Sequence, residues 1–268
     1  MIRLLALDLD GTLMGDDLRI SAPVKGAVAA AQERGVVVTL ATGRMFDVAL
    51  PFARELNITA PMICYQGGVI QAADAAEPLY RAEMDPVPLR EVMALAVERD
   101  WHMVLYADDQ IFIAEQRYED DLYTKWLGDD IRQVGDLSSV LDGHVPSKFL
   151  IVAYPPEADR IEVEVRDRFA DRMEIVRSHE LFVEGNPQGV SKGDALRRLA
   201  AHLDVPQAEV MAVGDQGNDA TMIAWAGVGV VMGDGSPVVQ AVADWVAPPL
   251  AEDGAAVAIE RFILNPRP

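Results

Sequence analysis

Leu4-Leu5-Ala6-Leu7-Asp8-Leu9-Asp10-Gly11-Thr12 is an apolar run that ends in two aspartates, a glycine and a threonine. A short apolar run closed by a turn signal suits a strand buried on both faces of a parallel sheet. Ligands of open α/β sheets sit just outside the carboxyl ends of such strands. Asp8 and Asp10 are two apart, so in extended chain both carboxylates leave on the same side. Like charges so close raise each other's pKa unless a cation joins them, which leaves a bound metal, a shared proton, or both as stable outcomes. Asp and Gly also furnish ordinary strand-to-turn exits, so the decision falls to the rest of the chain.

Outward from that run, Ser21 can cap a helix with Pro23 in its first turn and Gly35 at its end. Val36 to Ala41 is β-branched and apolar, predicts a second strand, and ends in Thr42-Gly43-Arg44. A helix then leads to Asn57, and Pro61 to Tyr65 predicts a third buried strand ending in Gln66-Gly67-Gly68. Strand, helix, strand, helix, strand is the alternation of a parallel sheet.

Beyond Gly68 the pattern changes. Val69 to Gln71 and Leu79 to Arg81 suggest a short hairpin, and Asp85-Pro86-Val87-Pro88 marks a break. The middle predicts a helix, strands at His102 to Tyr106 and Gln110 to Ala114, a helix around Tyr118 to Trp126, and a strand at Lys148 to Ala153. A helix after Pro155-Pro156 and strands at Met173 to Val176 and Leu181 to Glu184 complete a small, mostly antiparallel α+β layer. Gly185-Asn186-Pro187-Gln188-Gly189 then returns the chain to the first pattern. Alternation resumes with a helix from Ser191 to Leu203, a strand at Val210 to Val213, a helix after Asn218, a strand at Val228 to Val231, a helix from Ser236, and a closing helix around Gly254 to Ile263. The expected fold class is therefore α/β. A doubly wound, Rossmann-like parallel core is made from residues 1–84 and 187–268, with an α+β domain inserted at 85–186.

Half of the 268 residues are apolar, enough for a sizeable core, and 23 basic against 43 acidic residues leave a formal net charge of −20. So acidic a surface repels nucleic acid and anionic membrane, and an anionic substrate has to be met by local positive charge or a metal. Cys64 is the single cysteine and lies in an apolar run, which excludes an internal disulfide and predicts a buried thiol. No stretch has the length of a membrane span, and Asp8 and Asp10 interrupt the N-terminal apolar run where a signal peptide would need continuity, so a cytoplasmic location is expected. Composition leaves the oligomeric state open.

Four polar clusters fall at expected strand ends or helix starts of the core: Asp8 to Thr12, Thr42-Gly43-Arg44, Ser191-Lys192-Gly193, and Gly214-Asp215-Gln216-Gly217-Asn218-Asp219. Together they bring at least three carboxylates and a lysine to one edge. Few hard oxygen ligands with room for water describe a Mg²⁺ site of the kind that works on phosphate. A threonine hydroxyl, glycine N–H groups and Lys192 are what phosphoryl oxygens require. Singly, Asp215 to Asp219 could be a helix start and Lys192 a solvated side chain; four coincidences at one edge weigh against that.

These motifs, with Ala41-Thr42-Gly43-Arg44, Gly189-Val190-Ser191-Lys192-Gly193 and Gly227 to Gly233, resemble the haloacid dehalogenase (HAD) superfamily of phosphohydrolases. The resemblance is to the Cof-type branch, subfamily IIB, which inserts an α/β cap between the second and third motifs. It covers both halves of the core, while in the middle segment it is one of size and position alone. The resemblance implies Asp8 as the nucleophile that takes the phosphoryl group as an aspartyl phosphate. It implies Asp10 as the acid that protonates the leaving oxygen and the base that then activates water, with its main-chain carbonyl on Mg²⁺. Asp215 is implied as a direct metal ligand, and Asp219 as one that binds the metal or orients its waters. Thr42, Gly43, Lys192 and Asn218 are implied to hold phosphoryl oxygens. The chain departs from the branch in having Gln66-Gly67 for the usual Asn-Gly and Met232-Gly233-Asp234 for Met-Gly-Asn, changes that bear on substrate contacts rather than on the chemistry.

Physics independent of the family supports the assignment. A carboxylate attacking a phosphate dianion at about 4 Å faces repulsion of about 8 kcal/mol at an effective dielectric near 20. A divalent cation and an ammonium reverse that sign, which makes the metal and Lys192 requirements of such a mechanism. The expected substrate is a small phosphate ester, a sugar phosphate or a phosphorylated cofactor. The inserted segment would choose it, with Arg44, Gln66, His179 and Glu184 as candidate contacts. A phosphomutase or phosphotransferase using the same nucleophile is the nearest alternative.

Other classes fit less well. Gly189-Val190-Ser191-Lys192-Gly193 matches the Gly-x-Ser-x-Gly nucleophile elbow of serine hydrolases, but no strand runs into the serine and the only later histidine, His202, falls in the same expected helix. A non-enzymatic phospho-acceptor switch needs neither an insertion nor an acid beside the acceptor. A dinucleotide site fails sooner, because no Gly-x-Gly-x-x-Gly follows the first strand.

Overall fold

The structure, a computed structural model, describes residues 1–119 and 130–266. In chain order it runs β1 (Leu4–Leu7), α1 (Ala22–Glu33), β2 (Val37–Leu40), α2 (Phe46–Glu55), β3 (Met62–Cys64), β4 (Val69–Gln71) and β5 (Tyr80–Arg81). Next come α3 (Pro86–Glu98), β6 (His102–Ala107), β7 (Gln110–Ile113), β8 (Ile131–Gln133), β9 (Pro146–Val152), α4 (Glu157–Phe169), β10 (Met173–His179) and β11 (Phe182–Pro187). The chain closes with α5 (Lys192–His202), β12 (Val210–Gly214), α6 (Ala220–Trp225), β13 (Val228–Val231), α7 (Pro237–Gln240), β14 (Trp245–Val246) and α8 (Gly254–Ile259). The helix expected around Tyr118 to Trp126 falls largely outside the described residues. Two compact units result: Met1–Arg81 with Ser191–Pro268, and Ala82–Val190.

In the first unit a five-stranded parallel sheet has the order β14-β13-β12-β1-β2. All four residues of β1 are 0% exposed, so both faces of this central strand are covered, as its unbroken apolar sequence requires. One face packs on Ala195, Leu196 and Leu199 of α5 and on Met222 and Ile223 of α6. Leu7 is level with Val213 of β12 and with Leu40 of β2, so Asp8, Thr42 and Asp215 leave three adjacent strands at nearly the same height. Ser21 caps α1 by accepting from the Val24 N–H at 3.3 Å, the role its sequence position suggests. The third strand differs from expectation. β3 touches the parallel sheet through a single bridge, Ala41 to Ile63, and pairs antiparallel with β4 in a separate sheet β3-β4-β5. With only three residues it makes its ladder with the hairpin that follows it.

The second unit is a six-stranded sheet of order β10-β11-β9-β6-β7-β8, antiparallel except for β7 with β8. Met103, Leu105, Phe149, Ile151 and Val183 on one face pack against Leu89, Val92 and Met93 of α3 and Ile161, Val165 and Phe169 of α4. Gly185 lies under the Phe149 ring, where any Cβ would collide with it. Both ends of this unit reach further than the sequence suggests. Met84 is part of its core and its N–H donates to Pro146 O at 2.8 Å. At the other end, Gly185-Asn186-Pro187 is not a returning turn but the end of β11, with Asn186 opposite Glu174 and Pro187 opposite Met173 on β10. A neighbouring strand has overridden three turn-forming residues. The last expected helix likewise ends early as an α-helix: α8 passes into a π-helical turn at Glu260–Leu264.

Candidate active site

Asp8 follows β1, its N–H donating to Val213 O at 3.0 Å, and the chain then turns at Gly11, whose φ is +85°. A Cβ at Gly11 would strike the Asp215 carboxylate, so glycine is required twice over, by conformation and by space. Thr12, just after it, donates its hydroxyl to Asp215 Oδ1 at 3.0 Å, and Gln216 Nε2 reaches the other oxygen at 3.1 Å. Asp219 Oδ2 accepts from the N–H groups of Asp215 and Gln216 at 2.9 and 3.0 Å, which folds the loop after β12 back on itself and leaves Oδ1 free to turn inward.

Lys192 is the first residue of α5, whose N-cap is Ser191. Its Nζ lies 2.6 Å from Asp8 Oδ1 and 2.6 Å from Asp219 Oδ1, although it is 1% exposed. Oxygens of Asp8, Asp215 and Asp219 fall within 4.8 Å of one another. Three carboxylates and one ammonium leave two negative charges in excess. Burial, then the Asp219 charge, pushes the Asp8 carboxyl well above its ordinary range, and the same two causes push Asp215 up to about 7. Burial alone would lower the Lys192 ammonium, but Asp219 and Asp8 outweigh it and hold it above its usual value. An all-oxygen donor set with a double negative excess fits a hard divalent cation, which would favour the charged forms of Asp8 and Asp215.

Asp10 turns away from this cluster. Arg44 Nε donates to its Oδ2 at 2.8 Å and Arg44 Nη2 to its Oδ1 at 2.7 Å, a fork on both oxygens. Thr42 accepts from the Arg44 N–H at 3.1 Å, and the Gln66 N–H donates to Thr42 O at 3.1 Å, so the loops after β2 and β3 are stitched together. Gly43 lets Gln66 approach: a Cβ there would collide with Gln66 Nε2. Gln66, with φ +57°, accepts from Asn218 Nδ2 at 3.0 Å, and Asn218 Oδ1 is buried with no hydrogen-bond partner among the described residues.

The structure thus clusters Asp8, Lys192, Asp215 and Asp219 and links Thr42, Gly43, Gln66 and Asn218 across the loops that follow β2, β3 and β12. The Asp10 side chain stands on Arg44 rather than among the three clustered carboxylates. His179 and Glu184 belong to the second unit. The His179 ring packs on Phe182 at 5.1 Å between centroids, with Nδ1 accepting from the Leu181 N–H at 3.3 Å. Glu184 is buried against Lys148 at 2.7 Å and Ser178. Sequence spacing did not single out Gln216, which steadies Asp215, or the Arg44 grip on Asp10, because neither contact has a local signature; only the Asp-x-x-x-Asp spacing hinted at the folded-back loop. Ser191 is no elbow nucleophile: its hydroxyl caps α5 by accepting from the Asp194 N–H at 3.1 Å, and His202 ends that same helix.

A buried Asp, Asp, Asp, Lys constellation at the carboxyl edge of a parallel α/β sheet defines a phosphoryl-transfer class of hydrolase. Residues 5–259 match the haloacid dehalogenase-like hydrolase family, and the chain belongs to it, as a Cof-type member and a phosphoric monoester hydrolase. The HMP-PP phosphatase of Serratia proteamaculans (strain 568) is 31% identical over 88% of this chain and 86% of its own. The 5-amino-6-(5-phospho-D-ribitylamino)uracil phosphatase YcsE of Bacillus subtilis (strain 168) is 29% identical over 98% and 96%. A crystal structure of a haloacid dehalogenase-like hydrolase from Bacteroides thetaiotaomicron shares 30% identity and superposes with a TM-score of 0.81, covering 98% of this chain and all of that one. Among the described residues no helix is long and apolar enough to cross a membrane.

Proposed function

We propose that the chain hydrolyses small phosphate monoesters, of sugars or of phosphorylated cofactors, with Mg²⁺ as its metal and Asp8 as the group that carries the phosphoryl. The observation that supports this most is Lys192 Nζ at 2.6 Å from both Asp8 and Asp219, a buried ammonium fixed beside the proposed nucleophile. Mg²⁺, when bound by Asp8, Asp215, Asp219 and the Asp10 carbonyl, supplies the charge that lets an anionic carboxylate approach an anionic ester. Asp8 attacks phosphorus and the bond to the leaving oxygen breaks, while Asp10 delivers a proton to that oxygen. Asp10 then takes a proton from the water that cleaves the aspartyl phosphate. Lys192, Asn218, Thr42 and Gly43 steady the phosphoryl oxygens, and a proton on Asp10 weakens its hold on Arg44.

The relatives' names favour small substrates, one a phosphorylated ribityl compound. Core motifs address the phosphoryl group, which every ester shares, so the second unit is proposed to select among esters. An initial-rate screen of purified protein against a panel of phosphate monoesters with Mg²⁺ tests the function. Mg²⁺-dependent phosphate release from several sugar or cofactor phosphates is expected. Release from none of them overturns it, and transfer to an added acceptor in place of water turns the assignment to a phosphotransferase.

A further inference from the structure

We infer that Gln66 is a positioning residue for phosphoryl transfer: its carboxamide holds that of Asn218, so that one Asn218 N–H is kept for a phosphoryl oxygen. The inference rests on the function proposed above, in which Asn218 steadies the phosphoryl group. It gives Gln66 a role other than the substrate contact that its place after β3 suggests.

Tyr65 and Gln66 have φ of +53° and +57°, a left-handed pair in which neither residue is glycine. Such backbone is strained and persists only where surrounding contacts hold it. Here the contacts reach three other segments. The Tyr65 N–H donates to Arg44 O at 3.0 Å and the Gln66 N–H to Thr42 O at 3.1 Å, which fixes the turn on the loop after β2. A Cβ at Gly67 would collide with Ser191 O, so the turn also lies against the residue that caps α5, one before Lys192. The Gln66 side chain, 2% exposed, completes the set. Its Oε1 accepts from Asn218 Nδ2 at 3.0 Å, on the loop after β12, and its Nε2 lies over Gly43, where a Cβ would collide with it.

A primary amide carries two hydrogens on nitrogen and two lone pairs on oxygen. In Asn218 the oxygen is buried with no partner among the described residues, and the bond to Gln66 uses one of the two hydrogens. The unmet oxygen gives this amide no orientation of its own. Gln66 Oε1 supplies one, because it accepts and cannot donate: turning the Asn218 amide over would set two acceptor oxygens against each other. Nδ2 therefore stays on the Gln66 side, and its second hydrogen is the one left for an incoming phosphoryl oxygen. Reach explains why the chain departs from Asn-Gly at this turn. Asparagine tolerates a left-handed φ better than glutamine but is one methylene shorter, and the backbone of residue 66, tied to Thr42, cannot advance to close the gap.

The test compares the full-length chain with Gln66→Asn, Gln66→Met, Asn218→Ala and the double variant Gln66→Met/Asn218→Ala, using phenyl phosphate with Mg²⁺. Both Gln66 variants are expected to lower kcat/KM about tenfold or more, while Gln66→Asn melts at or above the wild-type temperature because its backbone suits the turn. In the Asn218→Ala background Gln66→Met should cost nothing further, since it acts through that amide. An undiminished loss in that background overturns the inference. So does wild-type kcat/KM in both Gln66 variants, which with a lowered melting temperature would make Gln66 a structural residue. If the wild-type chain does not hydrolyse the ester, the proposed function fails by itself, and isothermal titration with orthophosphate and Mg²⁺ decides the inference without turnover. Weaker binding in both Gln66 variants, with no further loss on top of Asn218→Ala, supports it; equal binding, or none in the wild type, overturns it.

Discussion

Arg44 holds both oxygens of Asp10, Nε to Oδ2 at 2.8 Å and Nη2 to Oδ1 at 2.7 Å, and it is buried while doing so. A guanidinium fork fixes the plane of a carboxylate in a way that a single ammonium cannot. Arg44→Lys should therefore lower kcat roughly 10–100-fold by loosening the proposed acid and base, with a smaller change in KM. Steady-state constants on one good substrate check this. A loss confined to KM would return Arg44 to the substrate-contact role that its motif position suggests.

Asp8→Asn keeps the shape of the side chain and removes its charge, so turnover should fall roughly a thousandfold or more while the protein stays folded. Circular dichroism checks the fold. Rapid acid quench of wild type during turnover, followed by peptide mass spectrometry, should find the phosphoryl group on Asp8; a quenched protein that carries none while phosphate is released at the normal rate would mean direct attack by water.

Much of this site is legible in the sequence because its parts are local. An apolar run ending in Asp8, a β-branched run ending in Thr42, and a serine one residue before Lys192 each announce a strand end or helix start by themselves. What joins them is not local: Lys192 meets Asp8 across 184 positions, and that contact follows only from the order of strands in the sheet. Gly185-Asn186-Pro187 carries every mark of a turn, yet pairing with β10 holds it as the end of β11. β8 escaped notice for the opposite reason, since Ile131-Arg132-Gln133 has one apolar residue and no alternation to show.

Metal removal should expose the clustered charge as a pH-dependent loss of stability. Asp215 titrates near about 7 in the fold, against about 4 for an unperturbed Asp, so the folded state binds the proton more tightly than the unfolded one. Stability is then greatest below about 4 and falls as pH rises toward 7, and Asp8, shifted in the same direction, adds to the slope. Melting temperature measured in excess chelator should drop by several degrees over that interval beyond the drop seen in Asp215→Asn. Saturating Mg²⁺ should flatten the difference, since a cation restores the charged forms. A chelated wild type that parallels Asp215→Asn at every pH would count against the shift.

Gly11→Ala tests the space around Asp215 directly. The added methyl meets the Asp215 carboxylate at a residue whose φ of +85° already disfavours a side chain. Displacing that carboxylate removes one of the three groups proposed to hold the metal, so Mg²⁺ affinity should fall more than global stability. Isothermal titration with Mg²⁺, beside a thermal melt in chelator, separates the two. Unaltered Mg²⁺ binding would show that Asp215 can move aside without cost.

Lys148 and Glu184 are 4% and 3% exposed and face each other at 2.7 Å, so the sheet of the second unit holds a buried ion pair. Removing one partner leaves a buried charge uncompensated, whereas removing both leaves only an apolar gap to fill. Lys148→Met alone should cost about 3–5 kcal/mol of stability, and adding Glu184→Leu should recover most of it. Urea denaturation of the two single variants and the double variant gives the coupling energy. Additive losses, with the double variant the least stable of the three, would mean that the two side chains are held by other neighbours and not by each other.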